Sequence, residues 1–264
     1  MHGADLDAST PATGWDVRDA ISHLRGTDRE ADKAATRPEL FLSELPAIAQ
    51  DIEGFLSGQL VEGRGLGDRL LEDWQQSFDR LTETLAGIAP GARVPWYGPP
   101  MSGASFATAR LMEYWAHGQD VADGLGATRE PTARLRHIAH LGVRTRAFAY
   151  VNRSMAVPDT GVRVRLVAPD GSTWEWGSGP DEVSGPALDF CLLVTQRRHR
   201  DDLALHATAG TANEWLSLAQ AFAGPPGPGR AACASGRERT GSTPGPDPTG
   251  SAHGTGRAAS SSGA

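Results

Sequence analysis

Apolar residues recur at helical spacing over most of the first 155 residues. The clearest pattern lies in residues 68–88, where large apolar side chains return every three or four positions. This spacing is typical of an amphipathic helix that packs one face against its neighbours. Two short helices are predicted over PELFLSELPAIAQ and DIEGFLSGQLVEG. Longer helices are predicted near residues 14–36, 67–88, 103–124 and 130–155.

The pattern changes after Pro158. The segment GVRVRLVAPDGSTWEWG alternates apolar and polar residues on both sides of Asp170-Gly171, which is the signature of a β-hairpin. A further helix is predicted over PALDFCLLVT, a short strand over LALHATA and a closing helix over TANEWLSLAQAF. A helical first half followed by this mixture predicts an α+β fold.

The end of the chain has a different composition. Residues 231–264 are rich in Ala, Gly, Ser, Thr and Pro and contain too few large apolar residues to form a core, so they are predicted to be disordered. The sequence therefore divides into a helical bundle over residues 1–156, a small α+β domain over residues 157–230 and this tail.

Composition narrows the possible partners and the location. The 32 acidic residues outnumber the 25 basic ones and give a net charge of -7, which argues against a nucleic-acid or anionic membrane surface. No apolar run has the length of a membrane span, and the first residues do not resemble a signal peptide. With only two cysteines, Cys191 and Cys233, a disulfide framework is not expected. A cytoplasmic protein is predicted.

Candidate chemistry lies in the helix predicted over residues 103–124. Glu113 and His117 are four residues apart and Asp120 follows three later, so all three share one face. The same face carries Phe106, which indicates partial burial. A carboxylate and an imidazole so placed are two of the ligands of a metal site. A surface Glu–His pair is the alternative, because this short motif also occurs by chance.

The first long helix carries a third candidate. His23 lies at the edge of its apolar stripe and, taken alone, is typical of a hydrogen-bonded boundary residue. Helical bundles build metal sites from inward side chains on facing helices, and His23 facing Glu113 and His117 would complete a two-histidine, one-carboxylate set. Three protein ligands with an open fourth position are typical of catalytic zinc. Asp120 would then orient His117 through its other ring nitrogen.

The segments GWDVRDAISHL, RLMEYWAHGQDVADGL and EWLSLAQAFAGPPGPGR resemble the mycothiol-dependent maleylpyruvate isomerase family and its uncharacterised actinobacterial relatives. The resemblance covers residues 11–230. It implies a DinB-like bundle followed by a small domain similar to sterol carrier proteins. It also implies that His23, Glu113 and His117 bind a divalent metal, usually zinc. The implied chemistry is a metal that lowers the pKa of a low-molecular-weight thiol, such as mycothiol, for isomerisation or S-transfer.

In that family the bundle begins with a helix before the GW motif, whereas fourteen residues precede Trp15 here. Two explanations stay open: the bundle lacks its first helix, or the start of the chain has been placed too late.

Three functions remain after the sequence is considered. The first is a metal-dependent isomerase or S-transferase that uses a small thiol and an electrophilic substrate. The second is a non-catalytic metal- or ligand-binding module of the same fold, and the third is a helical interaction protein with a fortuitous Glu–His pair. Arg197, Arg198 and Arg200 are candidates for holding carboxylates of the thiol or electrophile, or form an ordinary solvated surface. Hydrolase, P-loop and dinucleotide motifs are absent from the sequence.

Overall fold

The structure is a computed structural model that describes residues 3–227 and 229–233. Most of the predicted tail, residues 234–264, lies outside the described residues. Six helices make up the first part of the chain: α1 (Gly3–Leu6), α2 (Val17–Thr36), α3 (Pro38–Gln50), α4 (Ile52–Gly65), α5 (Leu70–Ala86) and α6 (Gly103–Gly124). A 3-10 turn, Gly67–Arg69, precedes α5, and a two-stranded antiparallel ribbon of β1 (Arg93–Val94) and β2 (Met101–Ser102) precedes α6.

Helix α2 is the centre of this helical part, and it packs against α3, α4, α5 and α6. It begins with a capping box in which the side chain of Asp16 accepts from the backbone of Asp19, while the side chain of Asp19 accepts from the backbone of Asp16. Small and branched residues on α2, including Ala20, Ile21 and Ala31, are fully or almost fully buried. Because these side chains are small, the neighbouring helices can pack close to α2.

The second part of the chain is mixed. It contains helices α7 (Leu135–Arg144), α8 (Arg146–Val151), α9 (Ala187–Val194) and α10 (Thr211–Leu218), a 3-10 turn at Arg200–Asp202, and strands β3 (Val162–Val167), β4 (Thr173–Trp176), β5 (Asp181–Pro186) and β6 (His206–Ala207). The four strands form one sheet in the order β4-β3-β5-β6, with β3 and β5 parallel and the other neighbours antiparallel. These elements confirm the predicted α+β class.

The predicted hairpin is present between β3 and β4. Gly171 adopts a φ of +83°, a left-handed conformation that costs glycine little. Asp170 Oδ1 accepts hydrogen bonds from the backbone and the hydroxyl of Ser172, which closes the turn. Along β3 the burial alternates, so that Val162, Val164 and Leu166 face the core.

The single helix predicted for residues 130–155 is wrong. Residues 132–134 form a tight turn instead, in which the backbone N–H of Leu135 donates to the Thr132 carbonyl, and α7 begins only at Leu135. The helix then breaks at Thr145, whose hydroxyl donates to the carbonyls of Leu141 and Gly142. Such back-bonding by threonine is a known cause of bends in helices.

A large apolar core joins the two parts of the chain. It includes Met112 and Ala116 of α6, residues of α7 and α8, and the inward side chains of the sheet. The boundary between a bundle and a separate small domain at residues 156–157 therefore stays a prediction. Within the described residues, no helix is both long enough and apolar enough to cross a membrane.

Candidate metal centre

Helix α6 carries most of the candidate site. It begins at a Ser102 N-cap, whose hydroxyl accepts from the backbone N–H of Ser105. Positions spaced by three or four residues then bring one continuous face toward the interior. The side chains on that face are Phe106, Arg110, Glu113, His117 and Asp120, of which the first, second and last are buried residues.

The structure brings His23 of α2 against this face. Its Nε2 atom lies 3.9 Å from Oε2 of Glu113, and Nε2 of His117 lies 3.5 Å from the same oxygen. The donor atoms of all three residues lie within 4.8 Å of one another. The side chains of His23, Glu113 and His117 are 13%, 25% and 12% exposed, so the group is sheltered but still open to solvent.

Asp120 lies behind His117. Its Oδ2 atom is 3.4 Å from Nδ1 of His117, so the two ring nitrogens of His117 face two different carboxylates. Asp120 is 1% exposed as a residue. Arg197 reaches it from beyond α9, with Nη2 3.0 Å from Oδ2, and Arg230 Nη2 donates to Oδ1 at 2.5 Å.

Trp15 covers the two histidines from the loop before α2. Its ring is stacked on His117, with a centroid distance of 5.7 Å and an angle of 18° between the planes. The same indole lies 5.3 Å from His23 in a tilted arrangement. The two imidazoles contact each other edge to face at 4.7 Å. Trp15 therefore limits how far either ring can rotate.

Burial and the neighbouring charged groups have opposing effects on the pKa values of the three candidate ligands. Burial lowers the pKa of His23. Burial acts to raise the pKa of Glu113, but the two imidazoles outweigh it and hold the pKa of this carboxyl well below its usual range. For His117, burial acts to lower the pKa, and the carboxylates of Asp120 and Glu113 reverse this and raise it. The metal-free group is therefore an ionised Glu113 beside a His117 that binds its proton firmly.

The donor set fits a divalent metal ion. Two ligands of a tetrahedral zinc site lie about 3.4 Å from each other, since each bond is about 2.1 Å long. The spacings of 3.5 and 3.9 Å between Glu113 and the histidines are close to that value. Neither Nδ1 of His117 nor Oδ2 of Asp120 makes a hydrogen bond of good geometry among the described residues. Small movements of His117 therefore do not break an existing hydrogen bond.

A buried ion pair lies one turn away, between the same two helices. Arg110 of α6 donates to Asp28 Oδ1 at 3.1 Å and to the hydroxyl of Thr27 at 2.9 Å, both on α2. The hydroxyl of Tyr114 donates to the other carboxylate oxygen of Asp28. The side chains of Arg110 and Asp28 are 5% and 0% exposed. This network fixes α2 against α6 next to the three candidate ligands.

The three arginines of the basic cluster predicted over residues 197–200 lie in three different environments. Arg197 contacts Asp120 and donates to the Ala116 carbonyl, so it belongs to the surroundings of His117. Arg198 binds Asp123 through two hydrogen bonds of 2.6 and 2.7 Å. Arg200 instead donates to the backbone and side chain of Asn213.

Several residues around the site were not predicted as part of it. Arg110 stands three positions before Glu113 on the same helical face, and a charged residue on a partly apolar face was the available signal. Trp15 was predicted only to lie at the start of the first long helix, near residues 14–36. Arg230 lies 110 residues beyond Asp120, and no spacing rule connects them.

The fold and the site together define a helical bundle protein with a mixed α+β second part and a His/Glu/His group between two of its helices. Residues 1–122 match a family described as the mycothiol maleylpyruvate isomerase N-terminal domain. Two relatives, both uncharacterized proteins of Mycobacterium tuberculosis (strains CDC 1551 / Oshkosh and ATCC 25618 / H37Rv), are 47% identical over 224 residues, which is 84% of this chain and 87% of each relative. Residues 1–122 therefore belong to this mycothiol maleylpyruvate isomerase N-terminal domain family.

Two solved structures share the fold. They are the crystal structures of the mycothiol-dependent maleylpyruvate isomerase and of a histidine-to-alanine mutant of it. Each has a TM-score of 0.50 at 16% identity, over 80% of this chain and 85% of that chain. At this identity the likeness shows a common architecture, and it confirms the expected maleylpyruvate isomerase fold.

Proposed function

We propose that this protein is a cytoplasmic, metal-dependent enzyme that activates a low-molecular-weight thiol for attack on a small electrophile, in an isomerisation or an S-transfer. The observation that carries the proposal is the convergence of His23, Glu113 and His117, whose donor atoms lie within 4.8 Å of one another. Family membership adds to it, because the solved isomerase of the same fold is described as mycothiol-dependent.

His23, Glu113 and His117 would hold the ion. Two imidazoles and one carboxylate form a catalytic type of zinc site, which leaves one position for water or substrate. When bound there, a divalent ion, most simply Zn²⁺, would lower the pKa of a thiol from its free value near 8.5, so that a thiolate is available at neutral pH.

The remaining residues of the site position these groups. Asp120 faces Nδ1 of His117 and favours the tautomer that carries its proton on that nitrogen, which leaves Nε2 free as a ligand. Arg197 and Arg230 balance the charge of Asp120 and hold it in place. Trp15 keeps both imidazoles in their orientation and restricts the access of water on its side of the group.

The nucleophilic sulfur would come from outside the chain. Cys191 is fully buried, and its thiol lies 3.5 Å from the Leu135 carbonyl. Burial raises the pKa of this thiol, which makes it a poor nucleophile. Cys233 is exposed, and its backbone N–H donates to Asp202. Because neither cysteine belongs to the group formed by His23, Glu113 and His117, a small thiol is the reasonable nucleophile, and mycothiol is the first to test.

The experiment combines metal analysis with turnover. Purified protein is analysed for metal with and without chelator treatment. It is then incubated with mycothiol and either maleylpyruvate or a bimane electrophile. The proposal expects turnover that requires both thiol and metal and that disappears in His23→Ala. Stoichiometric metal without any rate above the uncatalysed thiol reaction would instead favour a binding module. Protein that binds no metal would exclude both the metal-dependent enzyme and the metal-binding module, and would leave a ligand-binding module without metal or the helical interaction protein.

A further inference from the structure

A polar cavity that is open to solvent on one side lies in the mixed part of the chain. It has a volume of about 300 Å³ and is bounded by the ends of α9 and α10, the turn at Arg200–Asp202, and residues near Gly227. None of the three proposed metal ligands lines it. A volume of this size is at the lower end of the range for small-molecule sites.

The walls of this cavity are strongly basic. Four guanidinium groups line it together with His199, and Asp201 supplies the one carboxylate among the lining residues. The guanidinium groups belong to Arg153, Arg198, Arg200 and Arg230. The chain as a whole has a net charge of -7, so this local group of positive charges does not follow from the overall composition.

Two of these four arginines have carboxylate partners and two do not. Arg198 is paired with Asp123, and Arg230 is paired with Asp120. Arg153 donates to the Ala149 carbonyl at 3.1 Å, and Arg200 donates only to the carbonyl and side chain of Asn213. Among the described residues, therefore, neither Arg153 nor Arg200 has its charge neutralised by an acidic group.

The positive charge is also partly removed from water. The four arginines and His199 are all residues of intermediate exposure. Burial lowers the pKa of Arg153, and burial lowers that of Arg230 despite its contact with Asp120. A guanidinium group that is partly removed from water and has no carboxylate partner is left with an unneutralised charge. A bound anion stabilises it by supplying that partner.

We propose that this cavity binds a small organic anion, with Arg153 and Arg200 as the charge partners of a phosphate or carboxylate group. Planar guanidinium groups suit both anions, because two parallel N–H groups match two oxygens. Leu193 and Leu216 also line the cavity and provide an apolar surface for the carbon skeleton of such a ligand. The inference does not depend on the proposed thiol chemistry, since it requires neither a metal nor His23, Glu113 or His117.

The test is calorimetric titration of the full chain with inorganic phosphate and, separately, with succinate. Each probe is used up to about 10 mM, because two charge-assisted contacts give affinities on the order of 1 mM. Arg153→Gln and Arg200→Gln are compared with the native protein, and circular dichroism checks that each remains folded. Arg163→Gln is the matched control, because Arg163 is exposed on β3 and does not line the cavity. Metal content is measured in every sample.

The proposal expects saturable binding of at least one probe, weakened about tenfold or more by either cavity variant and unchanged in Arg163→Gln. Preference for phosphate or for succinate identifies the anionic group of the ligand. If folded native protein binds neither probe, or if both cavity variants bind as well as the control, the anion site does not exist. A cavity variant that loses anion binding but keeps its metal content would show that anion binding and metal binding are independent of each other.

Discussion

Asp120 Oδ2 lies 3.4 Å from Nδ1 of His117, at the nitrogen that faces away from Glu113. The opposite nitrogen, Nε2, points to Glu113 and to the proposed ion. A histidine that binds metal through one nitrogen generally presents the other to a carboxylate or carbonyl, which fixes its tautomer and orientation. The arrangement of His117 between two carboxylates is therefore the most specific feature of the proposed centre.

Replacing the proposed ligand His117 should lower the metal affinity more than replacing Asp120, which orients it. We expect His117→Ala to weaken metal binding by more than about 100-fold with helix content nearly unchanged, since His117 is not a large core residue. Asp120→Asn should weaken it by roughly 10–100-fold, the usual effect of a group that orients a ligand. Competition with a chromophoric chelator measures both values.

Asp123→Asn is the matched control for this comparison. Asp123 is one turn further along α6 and binds Arg198 and Gln119. Its replacement removes the same charge from the same helix and should leave metal affinity unchanged. Equal and small losses in His117→Ala and Asp120→Asn would show that neither residue acts on a metal.

Metal affinity should fall with decreasing pH because protons compete for His117. The pKa of His117 is raised above 6.5 by Asp120 and Glu113, so the ring is protonated below that raised value and must release its proton to bind an ion. Glu113 remains ionised through this window, because its pKa is well below the usual range. Below the pKa of His117 we expect the affinity to drop about tenfold per pH unit, and well above it to level off.

Chelator competition between about pH 5.5 and 8 tests this dependence on the His117 proton. An affinity that stays constant across the interval would mean that no histidine proton is displaced, and His117 would not be a ligand. Asp120→Asn should move the start of the decline to lower pH, since it removes a carboxylate that raises the pKa of His117.

Local spacing was enough to predict part of the site and of the fold. Glu113 and His117 lie on one helical turn, and their shared face follows directly from the period of an α-helix. The Asp170-Gly171 turn is similarly local, because φ at Gly171 and the side chain of Asp170 determine it. The bounds of α6, Gly103–Gly124, agree with the predicted 103–124 for the same reason.

Contacts between distant segments were harder to predict. Whether His23 meets Glu113 depends on how α2 and α6 pack, which periodicity alone does not determine. The pairing was a hypothesis from the way helical bundles build metal sites, and the family resemblance implied the same three residues. The contact of Arg230 with Asp120 depends on the path of the chain after α10. The break at Thr145 was missed because a threonine side chain competes with the backbone for carbonyls, and this does not change the apolar pattern.

Trp15 should report metal binding through its fluorescence. Its ring contacts both His23 and His117, so an ion bound to these imidazoles changes the surroundings of the indole. We expect Zn²⁺ to change the tryptophan emission of the native protein and of Trp176→Phe, since Trp176 lies on β4 of the sheet. The change should be lost in Trp15→Phe. A response that survives in Trp15→Phe would contradict the stacking.

The same tryptophan should affect affinity. Trp15→Ala removes the surface that limits rotation of the two imidazoles, and we expect roughly tenfold weaker metal binding, in the range of groups that support ligands. Trp15→Phe keeps an aromatic ring and should lose less. If Trp15→Ala binds metal as well as the native protein, the orientation of the histidines is maintained by Asp120 and helix packing alone.

The buried pair of Arg110 and Asp28 should control stability in a way that depends on pH. Asp28 is 0% exposed, and Arg110→Met would leave its carboxylate without its guanidinium partner. At neutral pH we expect a loss of about 3–5 kcal/mol in the free energy of unfolding. Glu175→Gln, which breaks the exposed pair with Arg165, is the control and should cost no more than about 1 kcal/mol.

The loss should become smaller in acid. Burial raises the pKa of Asp28 and Arg110 acts to lower it, so Arg110→Met raises this pKa further. A carboxyl group whose pKa is higher in the folded than in the unfolded state binds its proton more tightly when folded. The contribution of this carboxyl group to the free energy of unfolding is therefore lost as the pH rises through its pKa in the folded state. Urea unfolding of Arg110→Met and of native protein at about pH 5 and pH 7 measures the difference. A loss that is the same at both pH values would contradict an ionised, unpaired Asp28, and a loss below about 1 kcal/mol would mean that water reaches this carboxylate.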